Sequence, residues 1–218
     1  MSARMHHMID QATGKQAFQR AKGVRRAWPV MAAALLALPL SGCLSLSPDV
    51  ADSLLVLTPA RTAPAGTVGG GQMMDALAVG DIAVPQKLDV TAVPVTTSQS
   101  EIAYLKDAKW VEKPGPLFAR LVAETIRAGG KRMVFDTADI VRRPSTVLGG
   151  RLLDMGYDAG TSSAVVRFDG VLTYADGTIA TRRFESTVPG IAPEVGSVGP
   201  ALNRAANDVA QQVADWVG

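Results

Sequence analysis

Few residues on this 218-residue chain are of a type that does chemistry. Cys43 is the only thiol, and the only imidazoles, His6 and His7, both precede it. A serine or cysteine nucleophile needs a base beside it, and beyond Cys43 no histidine exists to serve. Neither Ser-x-x-Lys nor Gly-x-Ser-x-Gly occurs. Zinc sites draw in practice on His or Cys, so no metal is expected. Gly69-Gly70-Gly71 is glycine-rich, but no Gly-Lys-Ser/Thr follows to grip a phosphate, and the run reads as a surface loop. Two carboxylate pairs remain: Asp136 with Asp139 at a turn, and Asp154 with Asp158, two pleats apart on one strand face. A carboxylate dyad is defined by separation in space, and solvated turn and edge carboxylates are far commoner. No catalytic residue and no cofactor is therefore assigned, and the chain reads as a non-enzyme.

The setting of Cys43 is more informative. Arg20, Lys22, Arg25 and Arg26 form a basic stretch, followed by thirteen uncharged residues from Trp28 to Leu40. A basic start, a short apolar run and small residues describe a secretory signal. The run is shorter than the roughly 20 residues a spanning helix needs. Val24 and Ala27-Trp28 around Arg25-Arg26 fit a twin-arginine signal poorly. Leu40-Ser41-Gly42-Cys43 resembles the lipobox of bacterial lipoproteins. That resemblance implies cleavage before Cys43 and a diacylglyceryl group on its thiol. The expected organisation is a cleaved signal over 1–42, a lipid-anchored tether over 43–52 and one domain over 53–218.

From Cys43 to Gly218 the chain has 176 residues, enough for one domain with its own core. Six of the 22 Lys and Arg and one of the 20 acidic residues precede Cys43, so the remainder carries a net charge of −3. That balance gives no support for nucleic-acid binding, which wants a clustered basic face. With one cysteine, no intramolecular disulfide can form.

The elements that would carry these residues follow from periodicity. Leu54 to Leu57, within Ser53–Thr58, predicts a buried strand. Pro59 to Gly71, rich in Pro, Ala, Gly and Thr, predicts a flexible loop. Strands are predicted at Ala78–Val84, Val90–Val95 and Ile102–Leu105. Pro114-Gly115-Pro116 opens a helix whose apolar face runs through Leu117, Leu121 and Ile126, and Gly129-Gly130 ends it. Strands follow at Met133–Asp136 and Val147–Tyr157. Ser163–Tyr174 and Thr178–Val188 flank Asp176-Gly177, which predicts a type I′ hairpin with Val166, Phe168, Leu172 and Tyr174 on the core face. Arg182 and Arg183 should lie on opposite faces of the return strand. Leu202, Ala206, Val209, Val213 and Trp216 form an apolar stripe on a C-terminal amphipathic helix. The fold class is α/β (α+β): one domain, a mixed or antiparallel sheet with a β-hairpin, packed by two main helices. Trp110, between Lys109 and Val111 in a polar loop, either plugs the core edge or anchors a partner.

Taken in order, these features resemble the ABC-type transport auxiliary lipoprotein family. The residues that carry the resemblance are the lipobox, Leu54–Leu57, Ile82-Ala83-Val84-Pro85, Leu88-Asp89, Ile102-Ala103-Tyr104, Trp110, the helix near Pro116, the Asp-Gly hairpin and the terminal helix. The chain departs in placing Leu105 between Tyr104 and Lys106, where a basic residue is expected directly after the tyrosine. The resemblance implies a periplasm-facing lipoprotein, anchored to the membrane by lipid, that works with ABC transporter subunits and an MCE-domain protein to move lipids or other hydrophobic molecules. Tyr104 and Trp110 are its candidate partner contacts. Leu44, rather than Asp, after Cys43 suggests the outer membrane. An envelope-assembly or structural lipoprotein without an ABC system would share most of these features.

Overall fold

A computed structural model describes residues 53–66, 76–136 and 144–218. The signal, the lipobox, Cys43, the tether, Gly69-Gly70-Gly71 and Asp139 lie outside the described residues. The element order is β1 (Leu77–Ala83), β2 (Ala92–Thr96), β3 (Ile102–Lys109), α1 (Pro114–Ala128), β4 (Val134–Asp136), β5 (Thr146–Asp158), β6 (Ser163–Tyr174), β7 (Ile179–Val188) and α2 (Val195–Val217).

The long strand β5 is the spine of a seven-stranded mixed sheet. Along one edge β6 runs antiparallel from Thr146↔Tyr174 to Asp158↔Ser163, and β7 continues the sheet beyond it. Two parallel strands share the other edge. β1 pairs with the first half of β5 (Leu77↔Thr146), and β2 pairs with its end (Val95↔Tyr157, Thr96↔Asp158). β4 adds to β1, and β3 adds antiparallel to β2. Antiparallel neighbours need only hairpins, whereas parallel ones need longer connections; α1 lies in the connection that carries the chain from β3 to β4, which pairs parallel with β1.

Alternation along β6 sets the layers. Ala164, Val166, Phe168 and Leu172 are buried, while Arg167, Asp169 and Thr173 point away. The buried set meets both helices. Phe118 of α1 lies 5.2 Å from Phe168, Phe168 lies 6.3 Å from Phe184, and Phe184 lies 5.4 Å from Trp216 of α2. These centroid spacings suit tilted and offset aromatic pairs. The architecture is the expected α+β domain: two helices on one face of a mixed sheet, with the other face open.

Four local expectations are corrected. Ser53–Thr58 forms a single parallel bridge, Leu55↔Trp110, and not a buried strand. Leu55 and Leu57 reach the core while Leu54 and Val56 are exposed, because only one residue pairs and the chain then leaves the sheet. The Asp-Gly hairpin has a three-residue loop, Ala175–Gly177. Tyr174 N–H donates to Thr178 O (2.9 Å), Gly177 N–H donates to Tyr174 O (3.0 Å), and only Gly177 takes positive φ, at 85°. This is the type I turn with a glycine bulge that three-residue loops favour. Tyr174, at the strand end, is exposed. The last helix, expected from its stripe beginning at Leu202, starts earlier, at Val195, with Pro200 inside it.

Candidate functional site

The open face of the sheet carries a cleft of about 590 Å³ where the β2–β3 hairpin rises over the ends of β5 and β6. Lys87, Asp154, Asp158, Arg167, Glu185 and the hairpin residues Ser98–Ile102 line it. Most of its charges are paired with one another. Asp154 accepts from Lys87 Nζ and, at 2.6 Å, from Arg167; Arg167 Nε donates to Glu185 at 2.6 Å. The Glu185 carboxylate holds the Arg167 guanidinium above its ordinary pKa, and Asp154 adds to that effect. Asp158 Oδ1 accepts the Thr161 backbone N–H (3.0 Å) and fastens the β5–β6 turn. Asp154 is thus bonded to cations from two sides, and Asp158 ties a turn. Asp136 ends β4, and its proposed companion Asp139 is outside the described residues. No group of His, Cys, Asp and Glu among the described residues could hold a metal ion.

The two aromatic candidates separate. Tyr104 stands on the edge strand β3, 47% exposed, beside Ile102 at 45%. Trp110 is 1% exposed and belongs to the core. Its placement corrects the partner-contact reading for that residue, since a ring buried on both faces offers no surface, and fits the core-plug alternative. Its indole N–H finds no acceptor among the described residues.

A second arrangement was not foreseen. Residues 55–63, expected as strand and loose loop, form a strap bonded to both helices. Leu55 packs against Gly199, where a β-carbon would come within 2.7 Å of its Cδ2. Thr58 N–H donates to Asn203 Oδ1 (2.8 Å), and Ala60 N–H donates to Asn207 Oδ1 (2.7 Å). Asn207 Nδ2 donates back to Thr58 O (2.9 Å), and the Arg61 guanidinium donates to Gln211. Ala63 N–H then reaches Glu124 of α1 (2.9 Å). Gly199, Asn203, Asn207 and Gln211 recur every four residues and so share one side of α2. That four-residue spacing is the signal the sequence offers for it. The strap ties residues 55–63 to both helices.

No helix among the described residues is long and apolar enough to cross a membrane. Residues 56–214 match the model of the ABC-type transport auxiliary lipoprotein component family. The chain belongs to this family. Among solved structures it is similar to protein XCC0632 of Xanthomonas campestris, of the DUF330 family: 18% identity, TM-score 0.64, covering 75% of this chain and 93% of that one. It is also similar to an uncharacterized protein at 13% identity and TM-score 0.57, covering 68% of this chain and 95% of that one. A PelC dodecamer from Paraburkholderia phytofirmans aligns at 20% identity and TM-score 0.41, covering 67% and 92% respectively. At such identities the likeness is one of fold. No curated protein matches the chain. The family is a transport auxiliary component and not an enzyme family.

Proposed function

We propose that this protein is the lipid-anchored accessory of an ABC-type transport system that moves lipids or other hydrophobic molecules across the cell envelope with an MCE-domain partner. The observation that carries the reading is the family match over 56–214, preceded in the sequence by Leu40-Ser41-Gly42-Cys43. In this account the signal over 1–42 is removed, Cys43 is acylated, and the domain faces the periplasm from the outer membrane. Each buried methylene of an acyl chain contributes about 0.8 kcal/mol, so two or more chains anchor firmly. A tethered domain meets its partner at high effective concentration, and a modest contact surface, such as that around Tyr104, is then sufficient.

Two measurements test the proposal. Intact mass of the membrane-extracted protein is expected to correspond to a chain starting at Cys43 plus acyl groups, and Cys43→Ala is expected to shift the protein from the membrane to the soluble fraction. Deleting the gene is expected to impair retrieval or delivery of a hydrophobic cargo, with restoration by the parent and not by Cys43→Ala. Unchanged cargo movement after deletion would remove the transport role.

A further inference from the structure

The strap that fastens the entry of the chain also leaves an apolar surface beside it. Leu55 N–H donates to Lys109 O (2.7 Å) and Val111 N–H donates to Leu55 O (2.9 Å), which sets Val56 beside Val111 and Leu54 beside Lys109. Leu55 and Trp110 point to the core, so alternation turns Leu54, Val56 and Val111 outward. They are 45%, 53% and 50% exposed. Single exposed aliphatic residues are ordinary, but these three are neighbours on one face. Lys109, exposed beside Leu54, borders them, as do two ion pairs: Lys113 with Asp89 at 2.8 Å, and Arg120 with Glu112.

Leu54 stands eleven residues after Cys43, at most about 40 Å along the chain however it runs. We propose that Leu54, Val56 and Val111 form a membrane-contact face that seats the domain on the phospholipid bilayer holding its anchor. This rests on the acylation of Cys43 argued above. The position of the face fits a bilayer, since it lies on the first described residues after the anchor. Its chemistry fits as well: aliphatic side chains bordered by charged ones gain from the boundary between headgroups and acyl chains.

Cys43 is the only cysteine, so once it is acylated a single introduced thiol can be labelled. The acylated full chain carrying Val56→Cys, labelled with an environment-sensitive fluorophore, is placed on phosphatidylethanolamine–phosphatidylglycerol vesicles. Ile179→Cys, 62% exposed at the far end of the sheet on β7, is the reference. At position 56 the expected result is a blue shift, severalfold stronger quenching by nitroxide-bearing lipid than at 179, and protection from iodide. The same pattern is expected at Val111→Cys, which guards against a local effect of the label. Iodide quenching at both positions, equal to that at 179 on protein that floats with the vesicles, overturns the contact face and leaves acylation standing. Shielding from both quenchers reports a protein contact, such as a second copy, and overturns it as well. A chain whose mass shows Cys43 unmodified overturns the anchoring reading itself, and this proposal with it.

Discussion

Trp110 shows how a residue's type can point to two roles that only its surroundings separate. At 1% exposure it fills the core edge, and its unpaired indole N–H is a cost rather than a handle. Trp110→Phe is therefore expected to hold stability within about 1 kcal/mol, while Trp110→Ala should lose about 3–5 kcal/mol; urea unfolding followed by circular dichroism separates the two. Gly150 is constrained differently. Its φ is 140°, and a β-carbon there would sit 2.1 Å from Asp169 O, whereas one on Gly149 would meet nothing within 4 Å. Gly150→Ala is expected to cost about 3 kcal/mol, and Gly149→Ala less than about 0.5 kcal/mol, by thermal unfolding. Asp169 accepts two bonds from Arg183 (2.6 and 2.8 Å), which hold its carboxyl below the usual range. A depressed carboxylate stabilises the fold above its unfolded pKa, about 3.9, and that contribution is lost as pH falls through the lower folded value. Asp169→Asn should therefore be slightly less stable than the parent at neutral pH, with the gap closing in acid, measured by unfolding across a pH series.

At the scale of elements, the strands and helices with long, regular patterns were legible. The stripe Leu202–Trp216 became α2, the alternation over 163–174 became β6, and Pro114 to Gly129 bounded α1. Two of the failures share a cause: each depended on contacts far away in sequence. Leu54–Leu57 has strand composition, but pairing at one residue only, with Trp110, left half of it exposed. Pro59–Ala63 has loop composition, yet it is held by side chains about 60 to 150 positions away. The hairpin signal at Asp176-Gly177 was right about the reversal and wrong about the turn, since Thr178 N–H bonds the Asp176 carboxylate and Tyr174 N–H reaches Thr178 O, which lengthens the loop by one residue. The strap itself is testable. Asn207 makes three hydrogen bonds: it accepts from Ala60 N–H and donates to Thr58 O and Asn203 O. Asn207→Ala should cost about 1–2 kcal/mol and expose the Ala60 amide, read as faster hydrogen exchange there with β5 and β6 protected as before. Unchanged exchange would mean that the Asn207 bonds do not hold the strap.

For the whole molecule, the division of labour follows from where chemistry is absent. The cleft on the sheet's open face has most of its charges paired within the domain, and beyond Cys43 the chain has no histidine. What the fold offers are surfaces: an edge strand bearing Tyr104, an open sheet face, and an apolar patch at the entry of the chain. Of these the sequence marked Tyr104 only through family resemblance, since an exposed tyrosine on a strand has no periodic signature of its own. Membership of a transport auxiliary family makes surfaces the functional feature. In the proposed role these surfaces serve an ABC-type system from a lipid anchor. Affinity purification of the tagged, acylated protein from gently cross-linked membranes, with mass spectrometry of its companions and Cys43→Ala as control, puts that role to the test. The expected result is an MCE-domain protein together with ABC subunits, weakened in the control. Recovery of only outer-membrane barrel or cell-wall proteins, equal in both, would contradict the claim and assign the protein to envelope structure instead.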